Sequence, residues 1–586
     1  MNSQGSTARA RLIRQRPAAL AAELALRGAG VHPLLSRLYA SRGLRDPAEL
    51  GLKLDDLLRP HALLNCERAA VLLADAIAAG SRLLIVADYD CDGATACAVG
   101  LQALRAMGAR VDYIVPDRFT LGYGLSPALV EQCRALEPDL IITVDNGIAS
   151  VEGVAAARRH GIATLITDHH LPGDQLPDAA CIVNPNQPGC RFESKAIAGV
   201  GVMFYVMLAL RAELRRRGHY RKPGGTPGDM PGSAAGGPNL SELLPLVALG
   251  TVADVVPLDR NNRILVSEGL ARIRSGRMPP GIRALFAAAG RDPRRATTMD
   301  IGFGLAPRLN AAGRLTDMSI GIETLIHTDE AGALELARRL DQLNAERRAI
   351  QASMSEQAAA MLPEMIDAGS TTVTLFDPAW HQGVVGILAG RIKDQMNRPA
   401  FIFAPGESGE LRGSGRSIAG LHLRDCLDLV SKAAPGLLHR FGGHAAAAGA
   451  TLAADRLEEF RHLFDAIATR LIDPAALQRE IVTDGPLEAS YLTPACAQLL
   501  EAEVWGQGFS PPIFSDRCRV LSQRLVAGKH TRLQLEVAGC SMEAIRFNWV
   551  EAAPAHIEAA FRLSVNEYNG LARAQLVIEA WEDAAL

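Results

Sequence analysis

The cysteines of this 586-residue chain lack the spacing of a zinc site or a disulfide framework. Ten cysteines are scattered without any C-x-x-C pair, and several lie inside apolar stretches. Paired cysteines at short, regular spacings would indicate structural zinc or an oxidising compartment. We therefore predict reduced, buried thiols and a cytoplasmic protein.

A membrane-spanning run is also lacking. The longest uncharged apolar stretch, residues 196–210, is shorter than the roughly 20 residues that a transmembrane helix requires. We predict a buried core helix there instead. The arginine-rich N-terminus has no continuous apolar core followed by a cleavage-like site, so the sequence favours an unanchored protein with no membrane partner.

An excess of charge of one sign is lacking as well. The 61 basic and 64 acidic side chains give a net charge of -3, and this near-neutral total neither favours nor excludes nucleic acid, because a local basic channel can lie within it. Hydrophobic residues make up 48% and charged residues 21%, which is typical of globular proteins. The length predicts several domains, about four by the usual domain size.

An acidic cluster follows the apolar stretch at residues 83–87. The sequence LLIVADYDCD at 83–92 places Asp88, Asp90 and Asp92 at every second position, directly before Gly93. If the strand geometry persists, all three carboxylates point to one side. A divalent cation such as Mg²⁺ or Mn²⁺ would relieve their repulsion. The alternative is a polar strand-to-helix turn with an aspartate cap.

The same pattern of strand, acidic turn and helix recurs along the chain. Apolar strands predicted at 140–144 and 162–167 end in Asp145 and in Asp168-His169-His170, and helices are predicted at 67–79, 95–107 and 151–160. Alternating strands and helices predict a parallel sheet with helices on both faces, whose ligands bind at the carboxyl ends of the strands. A fourth apolar run, 246–253, ends in Asp254, and we expect it at the same sheet edge.

Carboxylates with one or two imidazoles favour Mn²⁺ or Mg²⁺ over a thiolate zinc site. Two such cations can clamp the attacking and leaving oxygens of a phosphodiester. Taken alone, Asp145-Asn146-Gly147 is typical of a turn, and Asp168-His169-His170 could be a helix cap with surface imidazoles. Their expected convergence favours a metal site.

The remaining chain predicts further domains. A Gly- and Pro-rich stretch at 221–238 predicts a flexible insertion, and alternating segments from about residue 481 predict an all-β barrel of the oligonucleotide-binding kind. We predict an N-terminal helical segment (1–65), a first α/β domain (66–328), a connector helix (329–366), a second α/β domain (367–476) and the barrel domain (477–586).

Four ordered motifs resemble those of the DHH phosphoesterase superfamily: VADYDCDG (86–93), DLIITVDNGI (139–148), LITDHHLP (165–172) and ALGTVADVVPLD (248–259). With NPNQPGC (184–190) and AGVGVMFY (198–205), the chain is similar to the bacterial 5'-to-3' exonucleases of this superfamily that are specific for single-stranded DNA. The resemblance implies a mixed α/β fold with two α/β lobes, DHH and DHH-associated, joined by a long helix and followed by an oligonucleotide-binding barrel.

The resemblance also implies roles for individual residues. His170 would face the scissile phosphate, and two ions of Mn²⁺ or Mg²⁺ would be bound by Asp90, Asp92, Asp145, His169 and Asp254, with Asp88 in support.

Residues that bind the substrate are expected in three other segments. GSGRS (413–417) predicts a flexible, donor-rich loop, for which a surface turn is the alternative. Resemblance to the DHH-associated domain, through HQGVVGILAGRI from 381 and FGGHAAAAG from 441, implies phosphate contacts by Ser414 and Arg416 and a cleft position for His444. LAPRLNAAGR (305–314) is either a solvated basic loop or, by resemblance, an entrance for nucleic acid lined by Arg308, Asn310 and Arg314.

The barrel segment carries a basic stripe that contains Gln523, Arg524, Lys529, His530 and Arg532. Just upstream lie three aromatic residues on which bases could stack, although a buried core position is the alternative: Trp505, Phe509 and Phe514.

The resemblance implies a metal-dependent exonuclease that hydrolyses single-stranded DNA to mononucleotides in repair and recombination. A helicase and a single-strand-binding protein are the expected partners of a monomeric enzyme. One alternative is a DHH hydrolase of small nucleotides, but such an enzyme would not need a strand-binding barrel. The other is a catalytically silent repair scaffold, but such a scaffold would not need every carboxylate and both histidines.

Overall fold

The computed structural model describes residues 12–118, 120–220, 237–367, 369–406, 409–568 and 571–584. The predicted flexible insertion, 221–238, lies outside the described residues except at positions 237 and 238. The chain divides into two compact units. Among the described residues, the first unit contains those within 18–344 and 499–511, and the second contains those within 12–17, 345–498 and 512–584.

In chain order, the helices are α1 Leu20–Gly28, α2 Pro33–Ala40, α3 Cys66–Ala78, α4 Cys91–Ala106, α5 Pro127–Arg134, α6 Val151–Arg159, α7 Gly199–Arg216, α8 Leu244–Ala253, α9 Arg260–Arg274, α10 Pro280–Ala288, α11 Ala306–Leu315, α12 Ser319–Ile326, α13 Glu330–Asp367, α14 Val385–Met396, α15 Leu423–Ala433, α16 Leu457–Leu471 and α17 Pro494–Ala502.

The strands are β1 Leu12–Gln15, β2 Arg82–Ala87, β3 Arg110–Ile114, β4 Leu140–Val144, β5 Ala163–Thr167, β6 Cys181–Val183, β7 Val373–Phe376, β8 Ala400–Pro405, β9 Glu410–Arg416, β10 Arg440–Gly443, β11 Ala447–Ala453, β12 Glu480–Thr483, β13 Phe514–Val526, β14 His530–Val537, β15 Cys540–Arg546, β16 His556–Tyr568 and β17 Leu571–Asp583.

A five-stranded parallel sheet forms the centre of the first unit. Its strand order is β3-β2-β4-β5-β6, and every neighbouring pair is parallel. All five residues of β4 are buried, as are five of the six residues of β2, because a parallel sheet is covered on both faces. This confirms the predicted sheet and places the ends of β2, β4 and β5 at one edge.

Two local predictions were wrong. The run that ends at Asp254 is helix α8 rather than a strand, since a helix that is buried all round shows the same continuous apolar run as a buried strand. Residues 410–416 form strand β9, not a flexible loop. Most of the segment 305–314 forms helix α11, so the alternative of a solvated loop does not hold there. The sequence of β9 has no alternating apolar pattern that would have revealed the strand.

The second unit contains a mixed sheet and a barrel. The sheet has the order β10-β11-β9-β8-β7, and its core packs Phe401, Phe403, Phe460 and Phe464 together. Strands β13-β14-β15-β17-β16 form a closed barrel, which confirms the predicted C-terminal β-barrel. Strand β1, which the sequence did not predict, pairs in parallel with β12.

The long connector helix is confirmed as α13, which continues through Pro363. The cysteines are all free thiols, and eight of the ten are buried. The apolar stretch at 196–210 lies largely in the buried helix α7. Across the described parts of the chain, every helix is too short or too polar to cross a membrane.

Candidate metal centre

The first acidic motif forms a turn between a strand and a helix. Strand β2 ends at Ala87, and α4 begins at Cys91 with Asp90 as its N-cap, whose Oδ1 accepts a hydrogen bond from the Gly93 backbone at 3.0 Å. Asp92 therefore lies in the first turn of the helix. The prediction of three carboxylates along one extended strand was wrong, because the chain turns immediately after Asp88.

Helix α7 holds the Asp92 carboxylate at its amino end. The backbone N–H groups of Gly199 and Val200 donate to the two carboxylate oxygens at 2.6 and 2.9 Å. Backbone donors and the positive end of the helix dipole together favour an anion at this position. Two glycines allow the close approach: a Cβ on Gly199 would lie 2.6 Å from Asp145 Oδ1, and a Cβ on Gly250 would lie 2.8 Å from Asp92 Oδ1.

His169 connects the carboxylates that follow β4 and α8. Its Nε2 lies 3.2 Å from Asp145 Oδ1 and 3.4 Å from Asp254 Oδ2. Three overlapping groups have their ligand atoms within 4.8 Å of one another and could each hold an ion: Asp145 with His169 and His170, Asp92 with His169 and Asp254, and Asp88 with Asp90 and Asp145.

The electrostatics of this cluster favour a bound cation. Burial, followed by repulsion from neighbouring carboxylates, raises the pKa of Asp88, Asp145 and Asp254 well above the usual range and that of Asp92 to about 7. Among the described residues, no donor hydrogen-bonds the buried Oδ1 atom of Asp88 or of Asp145. Oxygen-rich ligation with imidazole suits Mn²⁺ or Mg²⁺.

His170 is oriented by Asp168, which was not predicted as a site residue. Its Nδ1 lies 2.8 Å from Asp168 Oδ1 and 3.2 Å from the Tyr123 hydroxyl. Burial lowers the pKa of His170, but the hydrogen bond and charge of Asp168 outweigh it and raise that pKa to about 9. Burial likewise opposes ionisation of Asp168, yet His170 holds the pKa of this carboxyl below its usual range.

Sequence reasoning also missed Tyr123 and Arg118, which lie in a segment without a recognisable chemical motif. The Tyr123 hydroxyl donates to the backbone carbonyl of Asp145 at 2.9 Å. The Arg118 guanidinium lies 4.7 Å from the centre of the Tyr89 ring. Burial raises the pKa of Tyr89 to about 12, and the nearby charges of Arg118 and Arg314 oppose this shift.

The three predicted site residues in α11 lie near different residues of the first unit. The side-chain oxygen of Asn310 accepts a hydrogen bond from the Cys91 backbone at 2.8 Å, which brings helix α11 to the acidic turn. Arg308 is 12% exposed and forms an ion pair with Asp341 at 2.8 Å, and its contact with DNA stays a prediction. Arg314 is close enough to Tyr89 to act on it electrostatically.

In the second unit, Ser414 and Arg416 lie close together on β9. Arg416 Nη1 donates to Ser414 Oγ at 3.1 Å, and burial lowers the pKa of the guanidinium. A Cβ on Gly386, in the first turn of α14, would lie 3.0 Å from Ser414 Oγ and 3.2 Å from Arg416 Nη2. His444 is exposed in the turn between β10 and β11.

The three aromatic residues predicted as candidates for base stacking are buried. Trp505 is 6% exposed, Phe509 4% and Phe514 0%, so these rings are core residues and not a stacking surface. An exposed ring does occur next to the basic stripe of the barrel: Phe547 is 53% exposed and stacks edge-on with His530 at 5.3 Å between ring centres.

Three family models match the chain. The DHH family, N-terminal domain, matches residues 82–228, the DHHA1 domain matches 369–470, and the RecJ OB domain matches 483–580. Over 582 residues the chain is 46% identical to the single-stranded-DNA-specific exonuclease RecJ of Salmonella typhimurium (strain LT2), a match that covers 97% of this chain and 98% of that protein.

Two solved structures are similar over most of the chain. The crystal structure of Thermus thermophilus RecJ in complex with Mn²⁺ has a TM-score of 0.79 at 29% identity and covers 98% of this chain and 80% of that one. The structure of the RecJ complex with Mg²⁺ from the same organism has a TM-score of 0.73 at 28% identity and covers 98% and 78%. With four ordered motifs, a converged acidic cluster and near-complete coverage, the chain belongs to the RecJ family of DHH exonucleases.

Proposed function

We propose that this protein is a metal-dependent exonuclease that hydrolyses single-stranded DNA from its 5' end to mononucleotides during repair and recombination. The observation that carries the proposal is the cluster of carboxylates around His169, whose mutual repulsion bound cations would relieve. The proposed ligands of two Mn²⁺ or Mg²⁺ ions are Asp90, Asp92, Asp145, His169 and Asp254, with Asp88 in support.

When bound, two such cations supply charge neutralisation at the phosphate and a lowered pKa for an attacking water. His170 complements that chemistry. The hydrogen bond and charge of Asp168 favour the protonated ring, which can donate a charge-assisted hydrogen bond to a phosphate oxygen. Asp168 holds the ring in position and balances its charge, so the imidazolium is stabilised beside the acidic cluster.

Several cationic and polar groups would bind the DNA backbone. Arg314, together with Arg118, supplies positive charge near Tyr89 in the first unit. In the second unit, the Ser414 hydroxyl, the Arg416 guanidinium and the first turn of α14 provide donors suited to a phosphate. We retain His444 as a proposed substrate contact because it is exposed, and we assign Asn310 to positioning the acidic turn as well as to substrate binding.

The closed barrel supports a long substrate over a small nucleotide. Phe547 and His530 present aromatic edges and faces beside Lys529, and such a combination binds single strands by stacking and charge. A hydrolase of cyclic dinucleotides would need no such module. A silent scaffold is disfavoured because every proposed metal ligand is retained in one cluster.

The cellular setting is part of the same proposal. A single-strand-specific enzyme needs a helicase to supply its substrate, and we propose that a helicase and a single-strand-binding protein are its partners. Free, buried thiols support a reducing cytoplasm. We also retain the monomeric state and the five predicted domains, with boundaries after residues 65, 328, 366 and 476, as proposals.

End-labelled DNA tests the activity directly. With Mn²⁺, we expect the wild-type protein to release labelled mononucleotides from the 5' end of single-stranded DNA and to leave blunt duplex DNA intact. Asp145→Ala should abolish the release. Equal digestion of duplex DNA, release from the 3' end only, or full activity of Asp145→Ala would refute the proposal.

A further inference from the structure

Residues 499–511, here called the strap, pack within the first unit although the chain on either side of them belongs to the second. The strap makes a tight turn closed by two backbone hydrogen bonds between Gly506 and Phe509, at 2.9 and 3.2 Å. The strap therefore has a defined conformation, and it packs against one surface of the first unit.

Aromatic packing anchors the strap. Trp505 and Phe509 stack with their ring centres 5.3 Å apart, and both are almost fully buried. Tyr39 of α2 stacks on Phe509 at 6.1 Å, and the Arg263 guanidinium of α9 lies 4.2 Å from the centre of the same ring. Buried stacking and cation–π contacts of this kind hold the turn firmly against α2 and α9.

The anchored turn supports the loop that follows Asp254. The backbone N–H of Leu258 donates to the carbonyl of Gln507 at 2.7 Å. A Cβ on Gly506 would lie 2.6 Å from Leu258 Cδ1, and a Cβ on Gly508 would lie 3.2 Å from Pro257 Cβ. The strap and residues 257–258 are thus packed so closely that a side chain on Gly506 or Gly508 would displace its neighbours.

The loop needs such support because its first residue is strained. Val255, directly after Asp254, has a φ of 62°, a conformation that is unfavourable for a β-branched residue. Strained residues of this kind persist where the surrounding structure over-determines them. Since Asp254 is the last residue before the loop, the backbone that sets its carboxylate depends on how the loop is held.

We infer that the strap is a positioning element for Asp254 and that the C-terminal chain thereby contributes to metal binding without supplying a ligand. The inference rests on the proposed metal centre. Outer contacts that orient a ligand commonly change metal affinity by about 10-fold or more when they are altered. Gln507, Gly508 and Phe509 are positioning residues in this account.

Gly508→Ala in the full-length protein tests the inference. Gly508 has a φ of 71°, and an added methyl group would press on Pro257. Gly161→Ala is the matched control, because Gly161 lies in the same unit with a φ of 76° and has open space around its Cβ position. Mn²⁺ affinity would be measured by titration calorimetry, and the unfolding temperature would be measured without metal.

We expect both variants to lose similar stability, whereas only Gly508→Ala binds Mn²⁺ about 10-fold more weakly at one site. Phe509→Leu, which loosens the anchor, should weaken binding in the same direction. Equal Mn²⁺ affinity in Gly508→Ala and Gly161→Ala would overturn the inference and leave the strap a purely structural element. Absence of Mn²⁺ binding by the wild type would instead refute the proposed function.

Discussion

At the residue scale, the metal centre depends on unfavourable local states. Asp145 has a φ of 62°, and its buried carboxylate is repelled by four others, those of Asp88, Asp90, Asp92 and Asp254. An aspartate tolerates the left-handed region better than most residues, and the Tyr123 hydroxyl stabilises this backbone by donating to the Asp145 carbonyl. Neither the conformation nor the tyrosine contact could be predicted from sequence, because residues 123 and 145 meet only in the folded chain.

The acidic cluster predicts an unusual dependence of stability on pH. Aspartates in an unfolded chain have a pKa of about 3.9, whereas burial and mutual repulsion raise the pKa of Asp92 to about 7. The folded metal-free protein therefore binds more protons than the unfolded chain between these values, and its stability falls as the pH rises through that window.

We expect the unfolding temperature of the metal-free protein to fall between about pH 5 and pH 7.5 and saturating Mn²⁺ to restore it at the higher pH. Differential scanning calorimetry measures both effects. Asp92→Asn should flatten the pH dependence. Stability that rises across this range in the wild type, with no response to Mn²⁺, would contradict the raised pKa values.

His170 should act on turnover more than on metal binding. His170→Gln removes the imidazolium held by Asp168 and should lower kcat about 100-fold or more, as is typical for the loss of a positioned hydrogen-bond donor to developing charge. Mn²⁺ affinity should change little. His160→Gln is the control, since His160 pairs with Glu131 outside the proposed centre. A loss of Mn²⁺ binding equal to the loss of kcat would show that His170 is a ligand instead.

At the element scale, strand ends and helix starts bring the site together. The edge formed by β2, β4 and β5 was predictable because these strands are short apolar runs that end in acidic residues. The fourth element was not: α8 is buried on all sides, and its sequence cannot be distinguished from that of a buried strand by periodicity. The prediction was wrong about the type of element that carries Asp254, but Asp254 lies in the predicted cluster.

The amino end of α7 gives a prediction at this scale. Gly199→Ala would place a methyl group 2.6 Å from Asp145 Oδ1, so we expect Mn²⁺ affinity to fall about 10- to 100-fold. Gly302→Ala is the control, because its Cβ would meet only Val252 Cγ1 at an ordinary 3.5 Å. Equal Mn²⁺ affinities in the two variants would show that the carboxylate can move without cost.

At the scale of the whole molecule, the sequence predicted the two α/β folds and the barrel but not how the chain is shared between the two units. Sequential order suggests that residues near 505 precede a barrel, whereas Trp505 and Phe509 are core residues of the first unit. The return of residues 499–511 to the first unit leaves no recognisable pattern in the local sequence. It also explains why these aromatic residues do not provide a surface for bases.

Phe547 is the alternative stacking residue in the barrel. Phe547→Ala should weaken binding of a long single strand about 10-fold, since one base stack contributes about 1–3 kcal/mol. Cleavage of a very short oligonucleotide should be unchanged. Leu525→Ala, which truncates an equally exposed residue (53% for both), is the control in a fluorescence-anisotropy titration. Equal affinities of the two variants would place the strand on another face.

In the proposed mechanism the acidic cluster around His169 is a binding site for two cations. Counting the Mn²⁺ ions bound per chain by electron paramagnetic resonance, at about pH 8 and so above the pKa of Asp92, tests it most directly. We expect two ions for the wild type and at most one for Asp145→Asn. Wild-type protein that binds no Mn²⁺, or an Asp145→Asn variant that still binds two ions with unchanged affinity, would contradict it.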